Sequence, residues 1–162
     1  MIKFADYLGQ YKRKFVCLSY TDETVKSLQT YCKENGFDLT SSYNGSKQAP
    51  EDFGFHTTIF YSDSYHNMED VEVSVSPFEV KPDSLQMFGP KKNIPVLKLK
   101  LNKQIANLRE LFEAQGFTDS WPEYKPHVSL SYNFTGDDIN KVKLPSFPLI
   151  VNSFKIKDGS TS

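Results

Sequence analysis

An internal repeat narrows the folding options of this chain more than any other feature. FVCLSY (15–20) reads as a strand and is followed by TDETVKSLQTYCKENGF; VLKLKL (96–101) reads as a strand and is followed by NKQIANLRELFEAQGF. In the first helical stretch Val25, Leu28 and Cys32 fall on one face, and in the second Ile105, Leu108 and Phe112 do. Val25 and Ile105 are 80 residues apart, and so are Leu28 and Leu108, Cys32 and Phe112, Gly36 and Gly116, and Phe37 and Phe117. The two glycines stand where a helix commonly ends in left-handed backbone. Asp22 and Asn102, at the same offset, are both residue types that cap helix N-termini. The chain therefore reads as a single domain over 1–162, made of two related lobes at about 1–90 and 91–162.

Each helix is followed by a strand that opens on histidine: FHTTIFYS (55–62) in the first half and KPHVSLSY (125–132) in the second. The first half carries an extra polar loop, DLTSSYNGSKQAPED, before its histidine. Further strands are expected at VEVSVSPFEV (71–80) and LIVNSFKI (149–156), with irregular GDDINKVKLPSFP between His127 and the last one. Each half is thus strand–helix–strand–strand. The expected class is α+β, with lobes related by a pseudo-twofold axis, antiparallel sheets lining a central cleft and helices outside.

Strand alternation puts His56, Thr58 and Phe60 on one face and Thr57, Ile59 and Tyr61 on the other. In the second motif His127, Ser129 and Ser131 share a face, while Val128, Leu130 and Tyr132 turn to the core. Each half then offers an imidazole and a hydroxyl pointing the same way, with a core-facing aromatic five residues after each histidine. Across a twofold axis the two pairs face each other. That arrangement suits in-line displacement at phosphorus, which needs a base on one side of the phosphate and an acid on the other. Two histidines can fill both roles near neutral pH, and two hydroxyls can donate to the non-bridging oxygens. His56 and His127 are the candidate acid–base couple, with Thr58 and Ser129 as phosphate clamp. Spacing does not say which imidazole is the base. His66, in SYHNMED, has Met68 two residues on and is expected in a loop.

A net charge of −1 argues against a dedicated binder of long nucleic acid, but not against a small nucleotide. Cys17 and Cys32 make no disulfide framework and lack metal-ligand spacing, so they read as reduced, buried thiols. Two histidines without carboxylates on the same strand face do not make a zinc site. No nucleophile-elbow, phosphate-loop or dinucleotide-binding glycine pattern is present, and no metal or cofactor is expected. No apolar run reaches membrane-spanning length, and MIKFADYLGQYKRKF lacks the apolar core of a signal peptide. A cytoplasmic protein without membrane association is expected.

The motifs His56-Thr57-Thr58-Ile59 and His127-Val128-Ser129-Leu130, placed in duplicated halves, resemble the signature of the two-histidine phosphoesterase superfamily over nearly the whole chain. Compact size, motif separation and the segment WPEYKPHVSLSY are most similar to the phage anti-CBASS nucleases. The resemblance implies metal-independent cleavage of cyclic di- and trinucleotides such as 3′,3′-cyclic GMP–AMP, by attack of a ribose 2′-OH, in the host bacterial cytoplasm. It assigns catalysis to His56, Thr58, His127 and Ser129. The second hydroxyl is often threonine in that family; serine keeps the hydrogen bond. The relatives place a base-stacking aromatic between the motifs, where Phe88 stands in QMFGPKKN. Tyr11, beside Lys12 and Arg13, is another aromatic expected in a loop, and Trp121 and Tyr124 precede the second motif. Lys91, Lys92 and Lys125 are candidates to counter a second phosphate. A monomer is expected. Two other functions stay open. An RNA-processing enzyme for 2′–5′ linkages or terminal cyclic phosphates would more often carry a basic path leading from the cleft. A non-catalytic nucleotide sponge would have no need of two proton carriers.

Overall fold

Capping chemistry sets both helices in the computed structural model, which describes residues 12–66, 69–119, 123–134, 136 and 138–158. The order is β1 (Lys12–Tyr20), α1 (Asp22–Glu34), β2 (His56–His66), β3 (Val71–Val80), β4 (Pro82–Phe88), β5 (Ile94–Leu99), α2 (Lys103–Ala114), β6 (His127–Ser129) and β7 (Leu149–Asp158). Asn102 caps α2 as expected, its Oδ1 accepting from Ile105 N at 2.8 Å. Asp22 does not cap α1. Thr21 does, one residue earlier, accepting from Thr24 N at 3.2 Å. Its hydroxyl supplies the same acceptor and leaves Asp22 and Glu23 in the first turn, where the helix dipole favours carboxylates.

The two helices end identically. Phe37 N donates to Cys32 O (2.8 Å) and Phe117 N to Phe112 O (3.0 Å), while Gly36 and Gly116 sit at φ 72° and 90°. This paired-bond ending satisfies the last carbonyls and turns the following phenylalanine back onto the helix. Phe117 accordingly packs edge-to-face on Phe112, centroids 5.1 Å apart. Leu28, Cys32, Ile105 and Phe112 are buried; Val25 and Leu108 are half-buried against them.

Two antiparallel sheets form, in the orders β2-β1-β7-β3 and β4-β5-β6. The class is α+β as expected. Each sheet takes one strand from the other half of the chain: β7 lies beside β1, and β4 beside β5. The repeats are therefore interlocked. β4 had no place in the sequence reading, which put Phe88 in a loop; Phe88 is the last residue of β4. Only Lys81 separates β3 from β4, so the chain passes from one sheet to the other at a single residue. Hydrogen bonds from Lys100 N to Lys81 O (2.9 Å) and from Asn102 Nδ2 to Glu79 O (3.2 Å) pin that crossing. Pro77 lies where β3 loses register with β7, at the sheet edge, a place where a missing N–H is tolerated.

A β-bulge alters the face pattern of β2. Val16 pairs with Phe60 but Cys17 pairs with Thr58, leaving Ile59 as the extra residue. Beyond it the alternation reverses. Phe60, expected in the cleft, is buried against Phe117; Tyr61, expected in the core, is half-exposed and packs on Phe15. Ser131 also leaves the cleft face: β6 ends at Ser129, and the buried Ser131 hydroxyl donates to Asp38 O at 2.6 Å. His66 closes β2 opposite Lys12 rather than lying in a loop. No helix among the described residues is long and apolar enough to cross a membrane.

Gly116→Ala tests the helix ending. No atom lies within 4 Å of the added Cβ, so the cost is conformational and should be about 1–2 kcal/mol. A urea midpoint lowered with an unchanged slope is the expected outcome; an unchanged midpoint would show that the left-handed residue is not under strain.

Candidate active site

The pairing registers fix what surrounds each histidine. On the first sheet His56, Ser19 and Ser153 form one cross-strand row, Thr58, Cys17 and Lys155 the next, and Tyr61, Phe15 and Lys157 the third. On the second sheet His127, Lys98 and Ser84 form one row, Ser129, Val96 and Gln86 the next, and Ile94 pairs with Phe88 beyond. Position by position the two sets correspond: His56 to His127, Thr58 to Ser129, Lys155 to Gln86, Lys157 to Phe88. Residues directly opposite in an antiparallel pair share a face, so each row belongs to the same side of its sheet as its histidine. β2 and β6 are in contact across the join between the sheets.

Both imidazoles are held in the same way. His56 Nδ1 lies 3.0 Å from Gly54 O and His127 Nδ1 lies 2.9 Å from Lys125 O, in each case the carbonyl two residues earlier. A carbonyl only accepts, so Nδ1 carries the proton and Nε2 is left to take or release one. Each ring is also flanked by a phenylalanine in T-shaped contact, Phe15 at 5.8 Å from His56 and Phe88 at 5.1 Å from His127. Burial pushes His56 below the ordinary imidazole range, and the charges of Lys157, His127 and Lys155 add to that, against the pull of the Gly54 carbonyl. His127 is thus within electrostatic reach of His56.

The hydroxyl residues are placed by their strands. Thr58 and Ser129 are half-buried, each two residues along the strand from its histidine. Tyr132, beside Ser129, has its hydroxyl pKa raised chiefly by burial. Thr57, on the reverse face, bonds the buried Tyr20 hydroxyl at 2.7 Å.

Tyr124 and Arg109 tie the two motifs together. The Arg109 guanidinium lies between the rings of Phe60 and Tyr124, 4.1 Å from each centroid. It donates to Ile59 O, at the bulge, and to Asp119 at 3.1 Å. Tyr124 donates its hydroxyl to Thr58 O at 2.7 Å. Tyr124, read from sequence as a substrate contact, therefore has its hydroxyl and one ring face engaged by the protein. Lys125 is exposed, and its carbonyl holds His127. Lys91 and Lys92 occupy the exposed turn between β4 and β5. Tyr11 and Trp121 lie outside the described residues.

Lys155, Lys157, Phe15 and Arg109 were not singled out by the sequence. The alternation in Phe154-Lys155-Ile156-Lys157 marks one polar face, but only the pairing of β7 with β1 puts that face beside His56.

Known proteins were compared on this basis. The family model described as "Anti-CBASS protein Acb1" matches residues 12–157. A search of curated proteins finds no match. Among solved structures, the chain is similar to Escherichia coli LigT complexed with 3′-AMP, at TM-score 0.52 and 12% identity over 90% of this chain and 86% of that one. Apo E. coli LigT gives TM-score 0.49 and 14% identity over the same shares, and Kluyveromyces marxianus Usb1 0.30 and 9% over 89% and 73%. The first of these matches shows that the chain has a LigT-like fold.

Two measurements probe the geometry. In an NMR titration His56 should titrate below the ordinary imidazole value, and Lys157→Gln should move it upward; an unmoved His56 would remove the lysine from its surroundings. Arg109→Met leaves Asp119 and Ile59 O without their partner in a largely buried site. It should cost about 3 kcal/mol or more in chemical denaturation, and a loss within experimental error would exclude Arg109 as the join.

Proposed function

The chain belongs to the Acb1 anti-CBASS family, and from that premise we propose that it is a metal-independent phosphodiesterase that opens cyclic di- and trinucleotide second messengers and so blocks bacterial anti-phage defence. Family and fold together support the coarser reading, a phosphodiesterase with an anti-CBASS role. The observation that carries the finer reading is the matched pair of imidazoles, each with Nδ1 committed to a carbonyl and Nε2 left for proton transfer.

In the proposed reaction the ribose 2′-oxygen attacks the adjacent 3′–5′ phosphorus. His56 Nε2 takes the 2′-OH proton as the new P–O bond forms. The P–O5′ bond breaks on the opposite side, and His127, entering protonated, gives its Nε2 proton to the leaving 5′-oxygen. The product is a linear oligonucleotide with a 2′,3′-cyclic phosphate at one end and a 5′-hydroxyl at the other. His56 is assigned as base because its surroundings disfavour the imidazolium. Thr58 and Ser129 donate to the non-bridging oxygens, where charge grows in the transition state.

Phe88, against His127, is the proposed stacking face for a base, with Tyr11 and Trp121 as further aromatic contacts; such stacking is worth about 1–3 kcal/mol per base. Tyr124 acts from behind the site by holding Thr58. Both imidazoles come from one chain, so the proposed working unit is a monomer, acting in the bacterial cytoplasm. E. coli LigT is described in complex with 3′-AMP, an adenine ribonucleotide phosphate, which is compatible with a substrate of that chemistry.

The test is incubation with 3′,3′-cyclic GMP–AMP in EDTA, with products read by mass spectrometry. A linear dinucleotide ending in a 2′,3′-cyclic phosphate is expected. His56→Ala and His127→Ala should each slow its formation by roughly 10²–10⁴-fold, and a 2′-deoxy substrate should resist. An intact ring, with cleavage of 2′–5′ oligoadenylate instead, would overturn the cyclic-nucleotide reading in favour of RNA processing. No cleavage of either, with tight binding retained in His127→Ala, would mark a sponge.

A further inference from the structure

The interlocked sheets give the site a symmetric frame with unlike flanks. Register places Lys157 and Phe88 at corresponding positions, two strands away from His56 and His127. On one flank the Phe88 ring leans on His127. On the other, Lys157 Nζ lies 5.1 Å from the centroid of Phe15, whose ring in turn touches His56. Lys155, one row nearer, stands in line with Cys17 and Thr58. The corresponding residue on the other flank is the uncharged Gln86.

Both lysines are exposed, and neither forms an ion pair among the described residues. The nearest carboxylate by register is Glu72, opposite Lys155 on β3. It accepts from the Ser153 hydroxyl at 3.2 Å instead. The buried lysine of the same sheet, Lys14, is by contrast paired twice, with Asp70 at 3.0 Å and Asp158 at 2.6 Å. Two ammonium groups against one carboxylate, Glu72, leave this flank beside His56 net positive, which disfavours a cationic ligand there and attracts an anionic one.

We infer that Lys155 and Lys157 form a second anion subsite on the His56 flank, which holds the non-scissile phosphate of a ligand whose scissile phosphate lies between the two histidines. This rests on the proposed reading of the histidine pair as the reacting centre. The site is then polar from end to end, with an aromatic plane at Phe88, the reacting phosphate in the middle and the second phosphate at the lysines. Ligands with two phosphates are favoured over those with one. Lys91, Lys92 and Lys125, the sequence candidates for that duty, lie on the turn between β4 and β5 and in the segment before His127, all of which belong to the Phe88 flank.

The test compares two ligands in the His127→Ala background, which removes one proton carrier so that binding is read without turnover. Titration calorimetry uses 3′,3′-cyclic GMP–AMP, with two phosphates, and adenosine 2′,3′-cyclic monophosphate, with one. Adding Lys155→Gln and Lys157→Gln together should weaken the cyclic dinucleotide about tenfold or more. It should flatten the salt dependence of that affinity and leave the mononucleotide nearly unchanged, which also shows that the variant is folded. Equal losses for both ligands, or no loss for either, would overturn the subsite, as would absence of dinucleotide binding to His127→Ala itself. Failure of the proposed function reads differently: the unmodified protein would leave the ring intact, whatever the ratio of the two affinities.

Discussion

One guanidinium ties the first histidine strand to the second half of the chain. Arg109 reaches from α2 in the second half to the bulge of β2 in the first, stacked between Phe60 and Tyr124 and bonded to Ile59 O and Asp119. Burying a charge is costly unless it is paired and its donors are met, and here both conditions hold. The consequence reaches the site directly. The bulge brings two successive carbonyls of β2 to groups from the second half, Thr58 O to the Tyr124 hydroxyl and Ile59 O to Arg109. The strand that carries His56 and Thr58 is thereby tied to the segment that leads into His127. That tie adds to the exchanged strands and to the Ser131–Asp38 bond in fixing one motif relative to the other.

The bulge also explains where symmetry stops. An extra residue in β2 turns Phe60 inward to cover Arg109 and sends Tyr61 out to Phe15. β6 ends at Ser129, and Ser131 bonds Asp38 instead. The repeat keeps what the proposed chemistry needs, a histidine and a hydroxyl two residues on. It discards the likeness beyond them, where each strand meets different neighbours.

What the sequence disclosed was local. The helices, their glycine endings and the histidine strands follow from periodicity and capping, which act over a few residues. Most of the failures were matters of pairing. Asp22 lost the cap to Thr21 because either side chain can supply an acceptor and backbone geometry chooses. The face assigned to Phe60 depended on unbroken alternation, and a bulge is set by the partner strand. β4 begins with proline and ends before Gly89-Pro90, which hid it among turn residues. Its partner, β5, lies in the other half of the repeat. Lys155 and Lys157 were visible as charges, but their proximity to His56 requires β7 to cross into the first sheet.

That crossing bears on how a duplicated fold runs a reaction with unequal roles. A perfect twofold would give two imidazoles of equal affinity for protons, whereas base and acid must enter the reaction in opposite states. The held Nδ1 protons keep the geometry of the two rings alike. Any difference has to come from around them, and the exchanged strands give the two rings unlike neighbours. β7 brings Lys155 and Lys157 to the His56 side, while on the other sheet Lys98 of β5 stands opposite His127 and β4 brings an aromatic ring against it. Burial disfavours the protonation of His56, and the positive charge near it adds to that effect. In the proposed reaction an anionic substrate would partly offset that charge. The lysines are then most useful as ligands for a second phosphate rather than as a tuning device alone: they recruit the anion when it arrives and keep His56 neutral until it does.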